Sequence, residues 1–411
     1  VIRDINSKLS ALRISGEIKT GRQMAEALEK GGNLNLFPGE CREEATEFGP
    51  CYLRELKIPL EHRHGSSNLS GILSCCGPDL SLPSRDKNMS DFNPRKSIFF
   101  DIETTGLGGG VGTWAFLIGM GWIEENFFLL RQYFLRRPAE ERALLSHFTA
   151  AAACFPTMVT FNGKLFDLPL INTRQVLAGI KTTEPRQHLD LLQCARNLWK
   201  KRLVSRSLHS LEEALLNIKR DDDIPGSEIP AVYFNYLRRG ETELLKKVFD
   251  HNALDILSMV SLLERVYRTS AGQLAGHPAE LLALGCLCLE TGRSEEGIGY
   301  LRAASKNTPD PLAEEAALKL ALYFKRQGKW TEAVKIWEEV AETNFINPTV
   351  LVELAKYYEH QRREYRTALQ LTEQALILAK LNRYSQSSIN GELNPQALRH
   401  RMNRLSRRLL A

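Results

Sequence analysis

Asp101 and Glu103 stand one residue apart in Asp101-Ile102-Glu103-Thr104-Thr105-Gly106. In an extended chain, residues i and i+2 project to the same side. The preceding Ile98-Phe99-Phe100 is apolar, so two carboxylates emerge together where a buried strand reaches the surface. Such charges repel unless a cation lies between them. Oxygen-only ligation suits Mg²⁺ or Mn²⁺. An isolated D-x-E is weak and has a simpler reading as a strand-end acidic pair. The buried lead-in and the T-T-G that follows make it strong.

Two further segments carry carboxylates. In Val159-Thr160-Phe161-Asn162-Gly163-Lys164-Leu165-Phe166-Asp167, a strand ends, the chain turns at Asn-Gly, and Asp167 opens a helix. Asp at a helix start is often only a cap, but this one can also reach the sheet end where Asp101 lies. In Val248-Phe249-Asp250-His251-Asn252-Ala253-Leu254-Asp255, His251 and Asp255 are i and i+4 and share one helix face. Asp250 points away and reads as solvated, while Phe249, Leu254, Leu257 and Val260 read as the buried stripe.

Other candidates are weaker. Asp190, in His188-Leu189-Asp190, is either a supporting acid at a strand end or a structural residue. His62 and His64 form an H-x-H pair with nothing to complete a metal site. Gly108-Gly109-Gly110 lacks the Lys-Ser/Thr of a phosphate loop and reads as a flexible loop. Trp199 to Arg206 is basic, and either tracks a nucleic-acid backbone or forms a solvated helix face.

The elements that must position these groups follow from periodicity. Residues 1–48 contain short amphipathic helix or poorly defined chain. Residues 49–95 hold one strand, Tyr52 to Leu60, in a Gly-, Pro-, Ser- and Asn-rich linker. Residues 96–269 begin with three strand-like runs, the second and third broken at Ile123-Glu124-Glu125, and continue with strand–helix alternation. That order predicts an α/β mixed sheet with flanking helices. Residues 278–381 are all helical and repeat: Gly285, Ala321 and Ala355 recur at spacings of 36 and 34. A period near 34 with small residues at helix crossings resembles tetratricopeptide (TPR) repeats, with a generic helical bundle as the alternative. The tail, 382–411, is basic, with Arg399, Arg401, Arg404, Arg407 and Arg408. It either touches phosphates or caps the last repeat.

Composition sets broad limits. With 54 Lys and Arg against 49 Asp and Glu, the net charge of +5 permits a polyanionic partner without requiring one. The eight cysteines form no C-x-x-C pair and read as reduced thiols of a cytoplasmic protein. No apolar leader is evident at the N-terminus, and the longest apolar run, Trp114 to Ile123, is about half a membrane helix.

Four carboxylates in the order strand, strand–turn–helix, helix resemble the DEDD exonucleases of the DnaQ-like, RNase H-like superfamily. The wording is similar to the YprB-type branch over roughly residues 50–268: YLRELKIPLEHRHG, DIETTGLGGGVGTWAFLIG, TFNGKLFDLPLINTR, HLDLLQCARNLWKKRL, Ile224-Pro225-Gly226-Ser227 and His251–Leu257. The resemblance implies an RNase H-like fold followed by TPR-like repeats, and a 3′–5′ exonuclease acting on DNA or RNA. It assigns two divalent ions, Mg²⁺ or Mn²⁺, to Asp101, Glu103, Asp167 and Asp255. It makes His251 the residue that orients or deprotonates water. Thr104, Thr105, Gly106, Leu107, Asn162 and Lys164 become contacts to the terminal nucleotide. One departure stands out: His251 sits four residues before Asp255, at the spacing where the tyrosine subclass of this superfamily carries its Tyr. The competing reading is a non-catalytic nucleic-acid-binding adaptor whose repeats recruit a protein partner.

Overall fold

A computed structural model describes residues 40–106, 112–306, 310–342, 347–380 and 393–410. The chain divides into two compact units, one ending at Leu274 and the other beginning at Ala275.

Among its described residues the first unit has nine strands: β1 (Glu40–Thr46), β2 (Gly49–Pro59), β3 (Arg63–His64), β4 (Ser67–Asn68), β5 (Ser97–Thr104), β6 (Ala115–Glu124), β7 (Phe127–Phe134), β8 (Thr157–Thr160) and β9 (Gln187–Asp190). β3 and β4 form a small hairpin, and the other seven form one sheet in the order β1-β2-β7-β6-β5-β8-β9. β5, β6 and β7 run as an antiparallel meander. β8 and β9 then add in parallel on the other side of β5. This is the mixed sheet of an RNase H-like fold, as the strand order in the sequence predicted. The β6–β7 turn falls on Glu125 and Asn126, with Glu125 at φ 51°.

Among the described residues seven α-helices accompany the sheet: α1 (Gly77–Ser84), α2 (Glu141–Ala153), α3 (Asp167–Leu177), α4 (Leu191–Trp199), α5 (Leu208–Leu211), α6 (Ile229–Arg239) and α7 (Leu245–Ser270). Alternation along β5 assigns the two faces. Phe100 meets Phe148 of α2, with ring centroids 4.9 Å apart. Its neighbour Asp101 meets α7 through Asn252. Ile98, Phe100, Ile102, Leu144, Leu145 and Phe148 are buried together on the α2 face, and each contributes about 1.5–3 kcal/mol of burial free energy.

Two expectations are corrected. Residues 40–46 are neither helical nor undefined: they form β1, paired with β2 from Glu40↔Glu55 to Thr46↔Gly49. Residues 49–95 are not a strand plus a linker. β2 pairs with β7 along its length, and short helical turns follow that bury Leu69, Ile72, Leu80, Leu82, Met89 and Phe92. Gly, Pro and Ser punctuate these turns closely enough to hide their apolar spacing. Residues 1–39 lie outside the described residues.

The second unit contains α8 (Pro278–Glu290), α9 (Ser294–Ala304), α10 (Pro311–Arg326), α11 (Trp330–Ala341), α12 (Pro348–Tyr357), α13 (Tyr365–Lys380) and α14 (Pro395–Leu410). Four of the described helices start alike, with a capping side chain followed by Pro: His277-Pro278, Asp310-Pro311, Asn347-Pro348 and Asn394-Pro395. Gly285 and Gly297 let α8 and α9 touch, since a Cβ on Gly285 would lie 2.6 Å from Leu301 Cγ. Ala321, Ala333, Ala355 and Ala368 are fully buried at the corresponding positions. The basic tail forms α14. Arg401 and Arg404 bind the fully buried Glu359 carboxylate at 2.9 and 2.7 Å, and Arg408 lies 3.6 Å from it. These cations therefore serve packing within the unit. All eight cysteines are free thiols. Among the described residues no helix is long and apolar enough to cross a membrane.

Candidate active site

The C-terminal ends of three parallel strands set out the site. Phe99 of β5 is level with Val159 of β8, and Thr160 of β8 with Asp190 of β9. Asp101 and Glu103 therefore project beyond the end of β8, beside the turn that leads to Asp167. The β5–β6 register slips between Glu103 and Thr104. Such irregularities end regular pairing and re-aim side chains. Asp255 arrives from α7 on the same face as Asp101.

A row of cross-strand partners explains how α7 comes so close. Arg54, Gln132, Gly119 and Asp101 are successive partners across β2, β7, β6 and β5. At Gly119 a Cβ would lie 2.1 Å from Asn252 Oδ1. Asn252 fills that gap. Its Nδ2 donates to Asp101 Oδ2 at 2.8 Å, and its Oδ1 accepts from Gln132 Nε2 at 2.9 Å. Arg54 donates to Gln132 Oε1 at 3.2 Å and pairs with Asp250 at 3.1 Å. Asp250 is thus the outer end of a buried polar chain, not simply a solvated residue as its spacing from Asp255 suggested. Leu254, read as part of the buried stripe, is only half-buried, and Ile256 is fully buried.

His251 and Asp255 share a face as their spacing requires, with His251 Nε2 3.7 Å from Asp255 Oδ2. Two residues that the sequence did not single out complete this corner. Asp223 accepts from His251 Nδ1 at 2.9 Å. Arg220 reaches Asp255 at 2.5 Å, Asp223 at 3.1 Å and the buried Glu212 at 2.5 Å. Burial alone would raise the Asp223 carboxyl, but the His251 and Arg220 hydrogen bonds outweigh it and hold it below the ordinary range. Arg220, Asp221, Asp222 and Asp223 sit in a loop, where a run of charges looks like ordinary solvated surface. The loop carried no signal that would have set it apart.

Burial raises all four predicted carboxylates. Burial, then the charges of Asp255 and Asp167, push Asp101 well above the usual carboxylate range. Burial, then Asp101, Asp255 and Asp167, do the same for Glu103. Burial, with Asp190 and Asp255, raises Asp167 to about 7. Burial also raises Asp255, although Arg220 and His251 oppose it. Among the described residues, no three His, Cys, Asp or Glu side chains are gathered tightly enough to hold an ion as they stand. By donor chemistry the residues fit a divalent cation, since a group of hard oxygen donors raised by mutual repulsion is relieved by positive charge.

The remaining predicted residues are placed as follows. Asn162, at φ +66°, and Lys164 each donate a backbone N–H to Asp190, at 2.9 and 3.2 Å. Asp190 also caps α4 through Leu192 N at 3.0 Å. Its role is thus to clamp the turn. Thr104 Oγ1 donates to Gly106 O at 2.9 Å, and Thr105 Oγ1 accepts from Trp114 N at 2.9 Å. Leu107 and Gly108-Gly109-Gly110 lie outside the described residues. His64 is buried against Ser258, 2.9 Å away, and His62 is exposed. Trp199 is fully buried and offers no face for stacking.

Beside the carboxylates lies a cleft of about 500 Å³ whose walls include Asp101, Asp255, Phe161, Asn162, Arg196 and Arg206. Residues 98–267 match RNase_H_2, a family of the RNase H superfamily. Uncharacterized protein YprB of Bacillus subtilis (strain 168) is 32% identical over 389 residues, covering 90% of this chain and 93% of that protein. The chain belongs to the YprB family. β6 to β9 and nearly all of β5 lie within the matched span, and the RNase H superfamily match points to a nucleic-acid hydrolase.

Proposed function

We propose that this chain is a metal-dependent 3′–5′ exonuclease that hydrolyses phosphodiester bonds of DNA or RNA by a two-metal mechanism. The observation that carries this reading is the placement of Asp101 and Glu103 at the end of β5, Asp167 at the start of α3 beside the end of β8, and Asp255 on α7 against the cleft that Asp101 also lines, four carboxylates from three elements at one edge of the sheet. These four would hold two divalent ions, Mg²⁺ or Mn²⁺. When bound, the ions supply positive charge against the phosphate and a supply of hydroxide at neutral pH.

The chain's own residues have distinct tasks. Asn252 and Gln132 hold the Asp101 carboxylate in one orientation. Asp223, accepting from Nδ1–H, leaves His251 Nε2 with its lone pair on the Asp255 side, where it takes the proton of the attacking water. Backbone groups at Thr104 to Gly106, and Asn162 and Lys164, contact the terminal nucleotide, with Lys164 exposed on the turn. Residues 96–269 would cut. Residues 278–381 would form TPR-like repeats that dock a protein partner, a role supported by the small buried residues recurring at helix crossings.

One observation favours a second reading. Arg220 already pairs with Asp255, as expected of a non-catalytic adaptor whose acid cluster is neutralised from within. An assay on end-labelled single- and double-stranded DNA and RNA, in Mg²⁺, Mn²⁺ and EDTA, separates the two. A ladder shortening from the 3′ end, lost with EDTA and with Asp101→Ala, establishes the exonuclease. Binding without cleavage on every substrate establishes the adaptor.

A further inference from the structure

The cleft beside the carboxylates has a cationic wall. Arg196 projects from α4 and Arg206 from the loop before α5. Their surroundings differ in a useful way. Arg206 is half-buried, and its Nη1 donates to Leu203 O at 2.9 Å and Val204 O at 2.6 Å. That fixes the guanidinium plane and leaves Nε and Nη2 without a partner among the described residues. Arg196 is exposed, and no described residue accepts from it. Neither cation is paired with Asp101 or Asp255, although all four line one cleft. Phe161, half-buried at the end of β8, adds an aromatic side chain to the same walls.

We infer that this wall is a binding site for the sugar-phosphate backbone of single-stranded nucleic acid. On this assignment Arg206 is a pre-set donor to one phosphate, Arg196 is a mobile donor to the next, and Phe161 offers its ring to a base. The chemistry follows from the parts. Guanidinium groups match phosphate oxygens in pairs, and bases stack on aromatic faces whatever their identity. A cleft of about 500 Å³ is the size of a small-ligand pocket. Phe161 can stack only on a base freed from its partner, so the site is assigned to single strands. The inference adds a substrate class to the proposed nuclease and takes from that reading only the position of the cleft.

The test is metal-free, so that cleavage cannot enter it. The full chain in EDTA is titrated against fluorescein-labelled oligothymidylate, its uridylate counterpart, and a duplex of the same length, over a range of salt. Anisotropy reads affinity. Arg196→Ala is expected to weaken single-strand binding roughly tenfold and to make the log–log salt slope shallower by about 0.7, the value for one lost phosphate contact on a single strand. Arg206→Ala weakens binding too. Arg196→Lys keeps the slope, since the charge remains. Lys57→Ala, which removes an exposed charge on β2, changes neither quantity. Thermal unfolding of each variant confirms that it folds. The inference is overturned if folded Arg196→Ala matches the wild type in affinity and slope. It is also overturned if duplex binds as well as single strand, or if the wild type binds neither oligonucleotide. Cleavage by a wild type whose binding ignores Arg196 would sink this inference and leave the nuclease standing. Arg196-dependent binding without metal-dependent cleavage would do the reverse.

Discussion

At the scale of the residue, the corner formed by Asp223, His251, Asp255 and Arg220 joins a loop to α7 through charged side chains alone. Removing the Asp223 charge changes one acceptor while leaving the backbone alone. Asp223→Asn is expected to lower kcat by roughly 10- to 100-fold, the usual effect of losing a group that orients a catalytic or liganding side chain. KM should move little, because Asp223 does not line the cleft. Steady-state kinetics on a single-stranded substrate checks this, and a change confined to KM would contradict it. His251→Ala should cost at least as much, since it removes the group that Asp223 orients. The four carboxylates were legible as residue types and spacings, because i, i+2 on a strand and i, i+4 on a helix are local rules. Asp223 and Arg220 were not, because only the fold brings a loop 28 residues away onto the His251 imidazole.

At the scale of the element, the closeness of α7 to the sheet is the feature on which the site depends. Gly119→Ala places a methyl group where Asn252 Oδ1 and Ile256 Cδ1 now sit, with contacts of 2.1 and 2.5 Å. Overpacking of this kind costs about 1–3 kcal/mol, and here it also displaces the partner of Asp101. Urea denaturation should show the loss of stability, and cleavage should fall by more than stability accounts for. The β3–β4 hairpin supplies a second element-scale prediction. Burial lowers His64 to about 4, so the native state holds it neutral. The unfolded chain protonates near the ordinary value of about 6.5. The stabilisation is therefore complete above that pH and is lost as pH falls from about 6.5 through about 4. His188, lowered by burial to about 3, adds a loss of the same sign. Unfolding midpoints measured across this window should decline more gently in His64→Gln than in the wild type.

At the scale of the whole molecule, each of the two compact units carries its own hydrophobic core. Within the second unit, Glu359 takes Arg401, Arg404 and Arg408. It follows that deleting residues 275–411 should leave metal-dependent cleavage of naked nucleic acid within a few-fold of the full chain. Loss of all cleavage in a truncated chain with a cooperative thermal transition would show that the helical unit takes part in catalysis.

What the sequence by itself determined was the α/β character of residues 96–269, the helical character of the chain after residue 278, and the residue types and local spacings of the candidate carboxylates. Each depends on a pattern only a few residues long, or on a period that repeats. What only the tertiary structure decided was everything that joins distant segments. β2 extends the sheet because β7 offers it an edge, β1 adds on β2, and Arg54 on β2 joins Asp250 to a polar chain that reaches Asp101 through Gln132 and Asn252. Three of the tail arginines, Arg401, Arg404 and Arg408, are held by a buried glutamate, a partner that the run of basic residues did not reveal. The cationic wall of the cleft comes from α4 and the loop after it, where local spacing could not distinguish a binding face from a solvated one. Burial and hydrogen-bond partners are properties of the packed chain, so residues whose role rests on them acquire it only when the fold closes.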